Sequence, residues 1–250
     1  MLTGASVIVG ALGGLLAGSF IGAVATRFPA GESALGGRSR CDNCGAAISP
    51  WRLIPVVSYL ALHGRADCCG ARISGIHTIA EIVAALIGVA SAMLPLPAAL
   101  VSAGFGWLLL TLALIDFASL RLPNALVALL GLSGLGVSVL VGAPGALNSA
   151  IGSATGYIIL EGIRQGYRHL RQREGIGAGD PKMFAAIGAW VGWQPLPLVL
   201  LIAAFSGLLW AGVARLSGRD IGATTRMPLG TLLAIAVWPI WLWRIAARLP

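Results

Sequence analysis

Two carboxylates stand out for their setting. Asp116 ends the apolar run Trp107-Leu108-Leu109-Leu110-Thr111-Leu112-Ala113-Leu114-Ile115, and Asp180 closes the string Glu174-Gly175-Ile176-Gly177-Ala178-Gly179, ahead of Pro181 and Lys182. The chain has only nine acidic residues in 250, so two at the rims of apolar runs call for a reason. Ionisable groups at membrane depth are costly and are functional-site candidates by default. Two carboxylates that meet share one proton, because a second negative charge a few ångströms away is expensive. Such a pair polarises a water on one side and protonates a carbonyl on the other, which hydrolyses a peptide without metal or nucleophilic side chain. It titrates as a unit, so neither aspartate is the acid or the base by itself. Gly177 and Gly179 are expected to let the backbone approach a substrate, or to take positive φ, just before Asp180. Lys182 either biases the charge of the pair or anchors its helix at headgroup level.

A second constellation is sulfur-based. All four cysteines fall in one polar stretch, as Cys41-Asp42-Asn43-Cys44 and Cys68-Cys69-Gly70. A C-x-x-C knuckle presents two thiolates to one metal, and two knuckles make a tetrahedral zinc site. Here the second knuckle is altered: Ala66 stands three residues before Cys69, and a cysteine stands at 68 instead. Cys68 and Cys69 both bind after backbone rearrangement, or His63 completes the set with them. The remaining alternative is a ribbon held by its own packing, with reactive but unligated thiols.

The elements that carry these residues follow from composition. Apolar residues make up 57% of the chain and charged residues 10%, which reads as an all-α polytopic membrane protein. The 35 glycines suit helices that approach closely in a bilayer. A spanning helix needs about 20 residues, and eight segments qualify: 3–26, 77–95, 98–118, 124–142, 146–165, 181–194, 196–215 and 228–246. The sixth is short, and the pieces around Pro195 and Pro197 are alternatively a broken or re-entrant element. The first run lacks a charged n-region and a small-residue cleavage site, so it is expected to be a retained helix.

Charge sets the orientation. Of the 17 basic residues, all but Arg244 and Arg248 fall in the segments 27–77, 119–123, 164–182 and 215–226. If eight spans alternate, these lie on one side, which is the cytoplasmic side, with both chain ends opposite. Asp116 and Asp180 then share the cytoplasmic face. The same distribution explains the net charge of +8 without nucleic acid, which is excluded as a partner; the lipid bilayer is the partner implied. A cytoplasmic position also disfavours structural disulfides among the cysteines. The chain divides into a first helix at 1–27, a small cytoplasmic zinc-ribbon-like loop domain at 28–76 and a membrane-embedded body at 77–250. Glu81, in span two, is read either as an acid that recognises a basic ligand or as a structural partner of a loop arginine; Glu174 is a second recognition candidate. Glu161 and Arg164 form a helix-surface pair. Trp190, Trp193, Trp238, Trp241 and Trp243 are expected to anchor at the membrane interface.

The motifs, taken in order, resemble the type IV prepilin leader peptidases of bacteria along nearly the whole chain. Gly18-Ser19-Phe20-Ile21-Gly22-Ala23-Val24-Ala25-Thr26-Arg27-Phe28-Pro29 is similar to the family's start, with Gly22 where asparagine is usual. The cysteine loop follows, with Ile54-Pro55-Val56-Val57-Ser58-Tyr59-Leu60 between its halves, and then Gly70-Ala71-Arg72-Ile73-Ser74 and the Glu81 span. Ala113-Leu114-Ile115-Asp116 with Leu122-Pro123-Asn124 resembles the segment of the first catalytic aspartate, and Gly177-Ala178-Gly179-Asp180 the GxGD signature of the second. The resemblance implies cleavage of a short basic leader from prepilins or pseudopilins at the inner, cytoplasmic membrane, with Asp116 and Asp180 catalytic and the site facing the cytoplasm. It also implies N-methylation of the new terminus with S-adenosylmethionine, an activity associated with the cysteine loop. Two other readings stand beside it. A proton-coupled transporter would show internal repeats and midplane acids, and the chain has neither; a non-catalytic pilus or secretion assembly factor would not need both aspartates.

Overall fold

The computed structural model describes residues 4–34, 36, 38–142, 144–218 and 225–247. Arg219, Arg248 and the first residue of the segment 3–26 lie outside the described residues. Among the described residues there are helices and no strands, only two isolated antiparallel bridges, Arg40 with Ala47 and Arg65 with Arg72. The chain forms two compact units, Met1–Ala118 and Ser119–Pro250.

In the first unit, α1 (Gly4–Arg27) lies along α3 (Gly75–Ser91) over most of its length. Gly10, Gly14, Gly18 and Gly22 recur every fourth residue and form one stripe of α1. A methyl group added to Gly10 would lie 2.5 Å from the carbonyl oxygen of Gly88, and one on Gly22 would lie 2.9 Å from Nδ1 of His77. At Gly14 and Gly18 it would overlap the backbone at Ala84 and Glu81. Lipid supplies no hydrophobic drive between helices, so close backbone packing along such a stripe holds the pair together. Gly22 is the residue of this stripe that leaves room for His77. Next to this pair stands α4 (Leu96–Ser119), tied to α3 by Trp107 Nε1 donating to the Ala84 carbonyl at 3.0 Å. The second half of α4 is buried almost throughout, down to Asp116 in its last turn.

The polar stretch between α1 and α3 folds as two knuckles separated by the 3-10 turn Pro50–Leu53 and the short α2 (Val57–Ala61). Ser74 ends it by accepting from the backbone N–H of Ile76 at 3.4 Å, so α3 starts slightly earlier than hydropathy suggests.

The second unit is built around a short buried helix. α7 (Asp180–Val191) packs against α5 (Asn124–Leu140), α6 (Ala146–Arg171) and α9 (Leu229–Ala246), and α8 (Leu196–Leu216) packs on α9. Glycines again set the spacing: Gly152 and Gly156 of α6 admit the backbone of α7 at Gly188 and Phe184. Trp190 Nε1 donates to the Leu130 carbonyl at 2.7 Å, and its ring meets Trp241 edge-on at 5.3 Å. Trp190 and Trp241 are therefore core residues, not interfacial anchors; Trp193 and Trp243 stay exposed. Arg244, one of the two basic residues outside the charge rule, donates to the Val191 carbonyl at 2.7 Å, at the end of α7.

Each of the eight expected spans holds one helix. Four regions are long and apolar enough to cross a bilayer: Gly4–Ala30, Leu96–Ser119, Leu196–Leu216 and Leu229–Ala246. α3 and α5 are apolar but have 17 residues each, and α6 runs on into the basic segment ending at Arg171. α7 has 12 residues, about 18 Å of helix, well short of a hydrocarbon core of about 30 Å. It stops at Gly192, which takes φ 76 and leads into the turn before α8. α7 and α8 are separate helices, with Pro195 flanking the start of α8.

Candidate active site and metal centre

The glycine-rich string leads straight into α7. Asp180 is the first helical residue and Pro181 follows it; Gly179, not Asp180, is the residue that flanks the helix. The Asp180 carboxylate does not cap the helix in the usual way. Its Oδ2 turns back and accepts the backbone N–H of Gly177 at 3.0 Å, while the Asp180 N–H donates to the Gly177 carbonyl at 3.2 Å. Asp180 is thereby fixed to its own loop and buried. Neither Gly177 nor Gly179 takes positive φ, contrary to one expectation for them. Their small size is what counts: a methyl on Gly179 would lie 3.0 Å from Leu122 Cβ, and one on Gly177 would lie 3.0 Å from Asp180 Oδ2.

The loop is held from both ends. Arg164 binds Glu161 through Nε and Nη2, each at 2.9 Å, and reaches Glu174 through Nη1 at 3.3 Å. Arg168 adds a second contact to Glu174 at 3.5 Å. Glu161 and Arg164 are thus the expected helix pair, but Glu174 is committed to arginines of its own unit instead of standing ready for a basic ligand. Lys182 donates its ammonium to Asn124 Oδ1 at 2.9 Å, joining the starts of α7 and α5.

Asp116 belongs to the first unit. It is buried in the last turn of α4, three residues before Ser119, where the helix ends, and Leu120 then takes φ 53. The two aspartates therefore each end or begin a buried helix, one in each unit. Glu81 is also buried, on α3, and its Oε2 accepts the backbone N–H of Val56 at 2.7 Å. That bond holds Val56 at φ 60, an unusual conformation for a β-branched residue.

The four sulfurs converge, all within 4.8 Å of one another. Cys41 and Cys69 are 3.8 Å apart, and Cys44 and Cys68 3.3 Å. Tetrahedral thiolate ligation with metal–sulfur bonds of about 2.3 Å separates sulfurs by about 3.8 Å, so the cluster fits a metal ion. No help from His63 is needed; it sits in the following turn at φ 51. Nor is the backbone rearranged. In the first knuckle Cys41 N–H donates to Ala46 O at 2.8 Å and Gly45 N–H to Cys41 O at 2.9 Å. In the second, Ala66 N–H donates to Ala71 O and Gly70 N–H to Ala66 O, both at 2.7 Å. Gly45 and Gly70 close the two turns at φ 70 each. Backbone N–H groups of Cys44, and then of Asn43, hold the Cys41 thiol down to about 7, while the neighbouring sulfurs of Cys44 and Cys41 push Cys68 up to about 12. Asp42, between the ligands, meets His77 Nε2 at 3.1 Å and is held below the ordinary carboxylate range chiefly by that bond. A bridge from the first knuckle to α3 results, which sequence reasoning missed because 35 positions separate the two residues.

Comparison with known proteins covers both units. Residues 12–94 match the model of the bacterial peptidase A24 N-terminal domain, and residues 103–212 match the type IV leader peptidase family. Among curated relatives, the chain is 36% identical over 208 residues to a prepilin leader peptidase/N-methyltransferase of Aeromonas hydrophila, covering 82% of this chain and 71% of that one. It is 38% identical over 211 residues to the protein of that name from Pseudomonas putida, covering 82% and 72%. With the Pseudomonas aeruginosa protein of that name the identity is 34% over 265 residues, covering 92% and 88%. No solved structure matches.

Proposed function

Because the chain belongs to the type IV leader peptidase family, we propose that it cleaves the short basic leader from type IV prepilins or pseudopilins and then N-methylates the new terminus. Asp116 and Asp180 act as the shared-proton pair, one polarising the attacking water while the other protonates the scissile carbonyl. The observation that carries this reading is the setting of the two acids: each is buried at a helix end next to the motif the family uses. Carboxylates in such places are hard to explain as structure alone.

The protein works as a multi-pass protein of the bacterial inner membrane with this site facing the cytoplasm, an orientation supported by the arginine-rich segments. A basic leader remains there while the hydrophobic part of the substrate lies in the bilayer. Within the chain, the loop at 28–76 serves methyl transfer and the membrane body at 77–250 serves hydrolysis. Gly177 and Gly179 shape the backbone ahead of Asp180, and Lys182 steadies the start of its helix. Cys41, Cys44, Cys68 and Cys69 hold a structural zinc ion, which ties the two knuckles together. S-adenosylmethionine, when bound, supplies an electrophilic methyl group. The loop and the end of α1 beside it offer fitting partners for it: a cavity lined by Arg27, Arg40 and Arg72 for a carboxylate, by Asp42 for an ammonium, and by Tyr59 for a ring.

Leader cleavage of a co-expressed prepilin by the wild type, Asp116→Ala and Asp180→Ala, with membrane insertion checked for each, tests the hydrolytic part. General acid–base loss predicts a fall of at least about a hundredfold in each variant. Processing at the wild-type rate by either one would remove the paired-carboxylate mechanism.

A further inference from the structure

The cavity just named has a volume of about 640 Å³ and is lined only by residues between positions 19 and 81, all in the first unit. It lies among the two knuckles, the end of α1 and the start of α3. Glu81, on α3, is 8% exposed and lines it. The groups that bond Glu81 are neutral: the Val56 N–H at 2.7 Å and the Ser19 hydroxyl. Among the described residues no salt bridge reaches it, although Arg27, Arg40 and Arg72 share the cavity wall. His77, the titratable neighbour one turn earlier on α3, bonds Asp42 instead. A buried acid bonded by neutral donors alone, with its basic neighbour His77 acting on it only through charge and bonded to Asp42, faces a cavity of ligand size and is the complement of a cationic ligand.

Resting on the methyl-transfer reading above, we propose that Glu81 binds the α-ammonium of the newly exposed substrate N-terminus and takes its proton. The chemistry balances with these groups. The ammonium gives one proton to the Glu81 carboxylate, and the freed nitrogen lone pair forms the new N–C bond to the methyl carbon of a sulfonium donor. The C–S bond breaks with its electron pair going to sulfur, a neutral thioether leaves, and the product is a secondary ammonium. Glu81 returns its proton to solvent. The arginines of the same cavity, two of them on the bridges of the knuckles, are the complement of a donor carboxylate. Glu81 is thus a catalytic residue of methyl transfer, which replaces its reading as a recognition acid for the leader.

The test uses the full-length protein in detergent and a short peptide with a mature prepilin N-terminus, labelled fluorescently at its C-terminus. The peptide is offered with its α-amine free or acetylated, so the result does not depend on leader cleavage. The wild type is expected to bind the free-amine form about tenfold more tightly, as one charge-assisted hydrogen bond allows. Glu81→Gln keeps an oxygen for the Val56 N–H, and it is expected to bind the two forms equally and to lose methylation of the free peptide. Donor affinity, measured by equilibrium dialysis of labelled S-adenosylmethionine, should change by less than about twofold. Retention of the free-amine preference by Glu81→Gln, or methylation at the wild-type rate, overturns the proposal. If that variant fails to accumulate, equal binding of the two peptides by the wild type overturns it alone. A wild type that methylates the free peptide while binding both forms equally defeats the role of Glu81 but not the activity. A wild type that neither methylates a mature terminus nor binds the donor defeats the methyl-transfer reading itself.

Discussion

Ala66 occupies in the second knuckle the place that Cys41 holds in the first. Each donates its N–H across the turn, to Ala71 O and Ala46 O, and each accepts from a glycine four residues on, Gly70 and Gly45. The sulfur missing at 66 is replaced from within the turn by Cys68, whose Sγ lies 3.3 Å from that of Cys44. The four-sulfur cluster is therefore asymmetric in sequence and complete in space.

Moving the sulfur back should then be tolerated. Cys68→Ala is expected to lose most bound zinc, and the double variant Ala66→Cys/Cys68→Ala to regain at least half of it, as read by metal analysis of purified protein. A Cys68→Ala protein that keeps full zinc occupancy would exclude Cys68 as a ligand.

Metal removal should expose the thiols. Cys44, Cys68 and Cys69 are at the surface, so ligation and not burial is what would protect them. Alkylation of these three is expected to speed up at least about tenfold after chelation, because a bound thiolate reacts slowly. Differential labelling with mass spectrometry would show it, and unchanged rates would argue against a metal in the native protein.

The glycine seam offers a packing test. Gly14→Leu places a side chain where the backbone of α3 at Ala84 and Ala85 already stands. Overpacking of this kind costs about 1–3 kcal/mol, more where backbone cannot move. Thermal unfolding in detergent should fall clearly for this variant, and hardly at all for Gly136→Ala, whose added methyl meets nothing within 4 Å.

The loop before Asp180 depends on Glu174. Glu174→Ala removes contacts to Arg164 and Arg168; such exposed pairs contribute at most about 1 kcal/mol. Stability should scarcely change, while leader cleavage should drop several-fold because the loop that sets Asp180 is less constrained. Cleavage at the wild-type rate would show that Gly177 and α7 alone are enough to place it.

Helix positions were legible because apolar runs, proline breaks and arginine segments agree with one another along the chain. Hydropathy ends the sixth span at 194, three residues past Val191, because it does not register the turn that Gly192 makes at φ 76. Nor could it separate Trp190 and Trp241 from Trp193 and Trp243: an indole packed on a neighbouring helix and one at a headgroup look alike in a string. Cys41, Cys44, Cys68 and Cys69 were legible as one set and do converge, but the way the second turn admits Cys68 was not. Spacing rules assume that ligands sit at fixed turn positions, and Cys68 satisfies the geometry from another one. The bond from Glu81 to Val56 crosses 25 positions, with no periodicity to announce it.

The stripe of glycines on α1 also governs where the chain tolerates changes of length. Each residue added or removed turns a helix by about 100°. A single deletion between Gly10 and Gly22 would therefore swing one end of the stripe away from α3 and bring side chains into its place. Insertions and deletions in this helix should survive only outside that interval, however harmless the added residue is in itself.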